Sequence, residues 1–287
     1  NNSATLLTNG LTNISDYSLS PNGNAAFAAR VNDVTAPSAN ARSVLWAGPI
    51  GSLNRVFKAG HASFADFAPG TVGAQFQTQA MDAWIRGTIN NAGQSLLGGS
   101  LVGGDVVNSG VGANGAAVYV GSSYGTLSQV WRVGTTTLTG PGVTPNATLN
   151  NTGGILNGGG YVAGANYLRQ GSGDVAVGDL QDGVMITNHG GTLRAVAAEG
   201  GSAPGLPGVT YATVAGSPFF GPGSPFQTGI QYFNNNGRLV FAAQLSGAVT
   251  AGVDDSALFV HNGASTTSKI LRRGDSAPSL VLGATFA

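Results

Sequence analysis

The sequence contains no cysteine, only two lysines (Lys58 and Lys269) and a single glutamate, Glu199. Without cysteine there is no disulfide framework, and zinc or iron–sulfur centres held by thiolates are excluded. Charge of either sign is scarce: twelve basic and twelve acidic side chains in 287 residues give a formal net charge of zero. Dispersed arginines on a neutral chain form no basic footprint, so nucleic acid is not an expected partner, and Arg272-Arg273 is too short to make one. No run of 18 apolar residues exists, so no membrane-spanning helix is expected. No stretch reads as a signal peptide, so the chain is expected to be either cytosolic or already processed. The apolar fraction, 42%, is too high for a disordered chain. Few charges also leave little repulsion between copies, so self-association is unopposed.

What the sequence does have is glycine, 47 residues of it, and a fourfold repeat. Ser256–Val260 (SALFV) aligns without gaps to Ser43–Ala47 (SVLWA), Ala116–Val120 (AAVYV) and Asp182–Ile186 (DGVMI). Lys269–Gly274 (KILRRG) aligns to Arg55–Gly60 (RVFKAG), Gln129–Gly134 (QVWRVG) and Ala195–Gly200 (AVAAEG). The two segments keep a nearly fixed distance: 14 residues from Trp46 to Gly60, and 15 for Tyr119–Gly134, Met185–Gly200 and Phe259–Gly274. Upstream of each pair lies a Gly/Asn element: SPNGNAAF (Ser20–Phe27), NNAGQSLL (Asn90–Leu97), NNTGGILN (Asn150–Asn157) and NNNGRLVF (Asn234–Phe241). Its glycine falls at 23, 93, 153 and 237, a period of 60 to 84. Downstream, a Gly/Pro link leads into GAQF (73–76), GVTP (142–145), GVTY (208–211) and GATF (283–286).

Short segments of β-branched and aromatic residues bounded by Gly, Asn and Ser read as strands. Each unit is expected to hold four. Strand A precedes the Gly/Asn turn and strand B follows it, while C and D are the two aligned segments, joined by a hairpin of about ten residues. No sustained 3.6-residue apolar period is present, so almost no helix is predicted. Repeated four-stranded antiparallel units point to an all-β fold, a β-propeller of about four blades, with a β-solenoid or sandwich as the alternatives. The chain reads as one β-repeat domain, 1–287, with units at approximately 13–72, 73–141, 142–207 and 208–282. Residues 1–12 would be an N-terminal extension or added strand. The longest insertion is expected at Gly158–Gln181.

The elements GNAAF (Gly23–Phe27) and Asn234-x-x-Gly237-x-x-Val240-Phe241 resemble the NxxGxxAF tandem-repeat family of secreted bacterial surface proteins. The link Gly274-Asp275-Ser276-Ala277-Pro278 is similar to that family as well. The first unit departs from the motif with Ser20 in place of Asn, and the second and third carry Leu96-Leu97 and Leu156-Asn157 in place of Ala-Phe. The resemblance implies export and attachment at a cell surface. No catalytic activity is established for the family, so it implies no site residues. The chain stops after GATF, where a further unit would begin, so a processed or partial form is expected.

Chemical motifs are few. Gly121-Ser122-Ser123-Tyr124-Gly125 matches GxSxG, but a nucleophile elbow needs a helix after it, and here a strand is predicted. Gly110–Gly115 (GVGANG) matches GxGxxG, but again a strand follows instead of the helix that would hold a pyrophosphate. His61, His189 and His261 are expected as exposed turn residues rather than a metal or triad site. Asp174, Asp179 and Asp182 form an acidic loop of the kind that holds calcium in some proteins, and Asp254-Asp255 occupies the same relative place. Their spacing fits no EF-hand, so solvated acids are the expectation. Trp46, Tyr119 and Phe259 on strand C, with Phe57 and Trp131 on strand D, are expected as core, with a sugar platform as the alternative. No catalytic, cofactor-binding or metal-ligating residue is assigned, and no cofactor is expected.

Together these features suggest a secreted, non-enzymatic protein that self-associates into a homo-oligomer or polymer, as a subunit of an extracellular filament, sheath or surface layer. The alternative is a ligand- or glycan-binding module at the cell surface, with a pocket of loop aromatics and Asn/Asp.

Overall fold

In a computed structural model, the residues described are 11–31, 42–60, 65–77, 85–110, 112–150, 152–173, 175–176, 182–213, 219, 231–263, 266–276 and 285–286. They form eighteen strands. The first nine are β1 (Leu11–Leu19), β2 (Asn24–Val31), β3 (Arg42–Pro49), β4 (Asn54–Ala59), β5 (Gln75–Phe76), β6 (Ile85–Ile89), β7 (Ser95–Val102), β8 (Ala116–Gly121) and β9 (Ser128–Arg132). The rest are β10 (Ile155–Leu156), β11 (Val162–Tyr167), β12 (Gly183–Thr187), β13 (Arg194–Ala198), β14 (Val209–Tyr211), β15 (Gln231–Phe233), β16 (Leu239–Gly247), β17 (Ser256–Asn262) and β18 (Thr266–Arg272). Among the described residues the only helical element is a 3-10 turn at Tyr124–Thr126. No helix there is long and apolar enough to cross a membrane.

The fold is all-β, built from antiparallel sheets that repeat. Their orders are β1-β2-β3-β4; β5-β7-β8-β9 with β6 also on β7; β10-β11-β12-β13; and β14-β16-β17-β18 with β15 also on β16. The expected strands A to D are therefore present four times. The C–D connections are only three to six residues long, shorter than the ten expected, because the strands extend past the aligned segments.

Two local devices make the repeat. The first is the turn between strands A and B. Asn90 Oδ1 accepts from the Ala92 and Gln94 amides at 3.0 and 2.9 Å, and the Gly93 amide donates to Asn90 O. Asn234 does the same with the Asn236 and Arg238 amides. In the first unit Ser20 Oγ replaces the amide oxygen, accepting from Asn24 N at 3.2 Å. A side-chain oxygen that satisfies turn amides pre-forms the bend, and the fourth residue, a glycine, takes positive φ at low cost. Gly23, Gly93, Gly160 and Gly237 have φ between +74° and +81°.

The third copy is thus Asn157–Gly160, where Asn157 Oδ1 accepts from Gly159 N, and not Asn150–Gly153. With that correction the glycine spacings become 70, 67 and 77 residues. Strand A of this unit is β10 rather than Ala147–Leu149. Strand β11 occupies Val162–Tyr167, inside the segment expected as a long insertion. Three consecutive glycines hide the turn in the sequence, since the motif can be laid on Asn150–Gly153 or on Asn157–Gly160.

The second device is a β-bulge on every strand D. Leu45 pairs with Phe57 but Trp46 with Arg55, skipping Val56. The same skip omits Val130, Val196 and Ile270. An extra residue on one strand bends it and strengthens its twist, and here it is β-branched each time. The bulge also realigns strand C of the third unit by one residue, to Gly183–Thr187, so that Ile186 rather than Met185 matches Trp46, Tyr119 and Phe259.

By its internal contacts the chain divides into unit 1, residues 1–135 and 152–160, and unit 2, residues 136–151 and 161–287. In unit 1 the core gathers Leu45, Val56, Phe57, Phe76, Leu97 and Tyr119. Asn24 Nδ2 donates to Asn91 O and Asn90 Nδ2 to Asn157 O, so successive A–B turns are tied to one another. In unit 2 the rings of Tyr211, Phe219, Phe241 and Phe259 pack at centroid distances of 5.3 to 6.3 Å.

Candidate functional site

The site arises where one repeat departs from the others. In unit 1 the bulge on β4 packs Val56 and Phe57 inward. Phe57 meets Phe76 at 4.7 Å between ring centroids, and Phe76 meets Tyr119 edge-on at 5.3 Å. All are fully buried, and each such aromatic pair adds about 0.5–1.5 kcal/mol beyond its area. Unit 2 carries Tyr211 at the position of Phe76 and Phe259 at that of Tyr119. On β13, however, Ala195, Ala197 and Ala198 stand where β4 has Arg55, Phe57 and Lys58. Beside these alanines unit 2 has a cavity of about 760 Å³.

Its apolar wall is β13 with Pro141 and Pro204, and its polar lining is Arg194, Tyr211, His261, Thr267, Thr139 and Ser202. The Ala195 amide donates to Thr139 O at 2.8 Å, which holds the Thr139–Gly142 wall against β13. Arg194 is held by two carbonyls, His189 O at 2.8 Å and Gly263 O at 2.9 Å. His189 Nδ1 lies 3.3 Å from the same Gly263 O, and its ring sits edge-on to Tyr161 and Phe233.

His261 is buried on β17, opposite Thr267 of β18. Its Nδ1 lies 3.0 Å from Thr267 Oγ1, which in turn donates to Val196 O at 3.3 Å. A threonine hydroxyl has one proton, so Thr267 accepts from His261 Nδ1–H and the proton sits on Nδ1. That assignment leaves Nε2 with a lone pair, and Nε2 has no partner among the described residues. Burial, with Arg194 and His189 nearby, pushes the His261 pKa down to about 4, so the ring is neutral at physiological pH. Tyr211 is buried too. Its hydroxyl lacks a partner among the described residues, and burial pushes its pKa up, so it stays protonated.

The residues singled out from the sequence are placed as follows. His61, Asp174 and Asp179 lie outside the described residues. His189 is half-buried. His261 is not an exposed turn residue, because β17 runs to Asn262 and carries it into the sheet. Asp182 accepts from Gln170 Nε2 at 3.3 Å. Asp254 and Asp255 face arginines, Arg272 at 2.8 Å and Arg273 at 3.5 Å, and accept the Thr250 and Gly252 amides. Among the described residues no three His, Cys, Asp or Glu side chains gather as metal ligands.

The GxSxG segment runs from the end of β8 into the 3-10 turn, where Ser123 Oγ lies 3.1 Å from Thr126 Oγ1, and β9 follows. Of the GxGxxG stretch, Gly110 and residues 112–115 lie outside any strand, before β8. There buried Arg132 donates to Asn114 O and Asp105 Oδ2, both at 2.8 Å, and Asn114 Oδ1 accepts from Val107 N. Trp46, Tyr119, Phe259, Phe57 and Trp131 are all buried, so they are core and not a platform.

Sequence reasoning passed over Arg194, Tyr211 and Thr267. The available signal was AVAA at 195–198, a run of small residues where the aligned copies read RVFK, QVWR and KILR. No curated protein matches the chain. Residues 2–280 match the Family of unknown function (DUF7453), and the chain belongs to that family.

Proposed function

We propose that this chain is a secreted, non-enzymatic structural protein whose copies join into an extracellular filament, sheath or surface layer. In this reading the four sheets are blades in the manner of a β-propeller, and the array is completed by a second copy. The observation that carries it is the bulge on β18. In the first and third sheets the bulged valine, Val56 or Val196, is buried, but its equivalent Ile270 is 47% exposed. The β18 strand is a sheet edge, with Thr266 and Ser268 exposed on the same side as Ile270. Lysine commonly guards such edges, but the one lysine here, Lys269, is tied to Asp275 at 2.8 Å. The edge strands β1 and β15 also expose large residues, Tyr17, Leu19 and Tyr232.

Size-exclusion chromatography with light scattering, followed by electron microscopy, tests assembly. Concentration-dependent oligomers are expected, with Ile270→Lys shifting them to monomer. A wild-type chain that stays strictly monomeric at high concentration sinks the reading. A second reading, a ligand- or glycan-binding module at the cell surface, is supported by the cavity of unit 2. That cavity is lined by strand residues and Gly/Pro segments instead of the loop aromatics and Asn/Asp expected from sequence.

A further inference from the structure

We propose that copies of the chain join head to tail: the face of the fourth sheet that carries Tyr232, Val240 and Val260 seats the face of a second copy's first sheet that carries Leu19 and Phe27. The inference rests on the assembly reading and deepens it, by naming the two surfaces that meet.

The repeat itself shows how one sheet seats the next. In unit 1 the first sheet turns Ala26, Ala28, Leu45, Ala47 and Phe57 into a core shared with Ile89, Leu97 and Tyr119 of the second sheet. Across that contact the Ile89 amide donates to Ser18 Oγ at 3.2 Å. The seated residues hold fixed places in the repeat. Ile89, Leu97 and Tyr119 correspond to Leu19, Phe27 and Trp46 in the first sheet, and to Phe233, Phe241 and Phe259 in the fourth. Every sheet thus has a leading face, which is seated, and a receiving face, which seats the next.

The first and fourth sheets each leave one of these faces open. On the leading side Ile89 and Phe233 are 7% and 8% exposed, whereas Leu19 is 65% exposed and Tyr17 beside it 79%. Phe27 is half-buried and stacks on buried Trp46 at 5.0 Å. On the receiving side Ala26, Leu45 and Ala47 are fully buried in the first sheet, but their equivalents Val240, Leu258 and Val260 are only half-buried in the fourth. Tyr232, at the place of Ser18, is 69% exposed, and the bulged Ile270 is exposed as well. Residues paired directly across antiparallel strands share a face. Tyr232, Val240, Val260 and Ser268 pair in that way, one row across all four strands from β15 to β18.

The open faces are therefore the two halves of a contact that the molecule already builds between its first two sheets, and a second copy continues it. By the same correspondence Tyr232 of one copy meets Leu19 of the next, as Ser18 meets Ile89. Neither half requires a charge to be desolvated, since the open residues are apolar, aromatic or hydroxyl-bearing. The joined surfaces differ, so the contact is heterologous, and each added copy offers the same open face again. Such addition yields a filament, or a ring where the rotation closes.

The test uses the whole chain in sedimentation velocity, light scattering and electron microscopy. Leu19→Asp and Tyr232→Asp alter exposed side chains, so both are expected to keep the wild-type Tm while weakening assembly at least tenfold. Leu19→Ser and Tyr232→Ser serve if the aspartates lower Tm. Mixed in equal amounts, the two variants are expected to form a one-to-one dimer and nothing longer, because each retains the face that the other lacks. Ile270→Lys, on the receiving face, should give the same dimer with Leu19→Asp and none with Tyr232→Asp. A wild-type chain that stays monomeric overturns both this contact and the assembly reading. Assembly that survives both substitutions overturns this contact and leaves assembly standing. Monomeric variants whose mixture does not dimerise overturn the head-to-tail pairing.

Discussion

Replacing Asn90 by alanine measures what the repeated turn contributes. Its side chain makes four hydrogen bonds. Oδ1 accepts from Ala92 N and Gln94 N, and Nδ2 donates to Gln94 Oε1 at 2.8 Å and to Asn157 O at 3.1 Å. A typical bond contributes about 0.5–1.5 kcal/mol net, and a buried group left unpaired costs about 1–3 kcal/mol. Ala92 is exposed, so its amide recovers a water, whereas the Asn157 carbonyl accepts from Asn90 in a buried setting. Asn90→Ala is therefore expected to cost about 2–4 kcal/mol. Asn90→Ser copies the residue that the first unit uses at this place, Ser20. It keeps an acceptor for the turn amides and loses both Nδ2 bonds, so it should fall midway. Ser20→Ala removes one 3.2 Å bond and should cost no more than about 1 kcal/mol. Urea unfolding gives the order, and hydrogen exchange at the Ala92 and Gln94 amides shows whether the loss is local. An Asn90→Ala variant no less stable than Ser20→Ala would refute the view that these side chains pre-form the turn and tie it to the next.

Three further outcomes follow from the same geometry. His261 has a folded pKa of about 4 against an ordinary 6.5, so the unfolded chain binds more protons between those values. Its stability contribution is complete above pH 6.5 and is lost as pH falls towards 4. At about 1.4 kcal/mol per unit the full loss is on the order of 3 kcal/mol, and His261→Phe should flatten that slope in urea titrations at stepped pH. The Arg132 bond to Asp105, and the Lys269 bond to Asp275 against the cost of its burial, hold both carboxyls below the usual range, so a second loss is expected below pH 4, reduced in Asp105→Asn. Gly237 and Gly23 share nearly the same φ, but a Cβ on Gly237 would overlap the His189 ring while one on Gly23 meets nothing. Gly23→Ala should thus cost about 1 kcal/mol of backbone strain, and Gly237→Ala distinctly more, with equal losses in thermal melts counting against the His189 contact.

The sheets were legible in the sequence because strand C, strand D and the turn are defined by local chemistry: β-branched runs, an acceptor side chain and a glycine. The third unit was misplaced by a few residues because its glycine run gives two equivalent places for the turn, and only the pairing of β11 with β12 decides between them. The bulge was invisible for a different reason. Val56, Val130, Val196 and Ile270 look like any strand residue, and the skip exists only in register with strand C. His261 was misread because a turn and the last residues of a strand look alike where Asn and Gly follow.

The cavity shows where function is to be sought in such a chain. Conditions that build the repeat constrain the backbone: the side-chain acceptor, the positive-φ glycine and the bulge recur in all four copies. Side-chain volume on strand D is free of that constraint, and it is there that the copies diverge, from Phe57 and Trp131 to Ala197 and Leu271. A repeat that keeps its hydrogen bonds but empties its core position gives up about 3–5 kcal/mol of packing for a phenylalanine-to-alanine change. In unit 2 that loss coincides with a lining that includes Arg194, Thr139 and Ser202. Loss of packing alone would leave an apolar void, as in dry engineered cavities. The polar atoms are what distinguish a vacancy from a site, and restoring the ring at Ala197 separates the two experimentally.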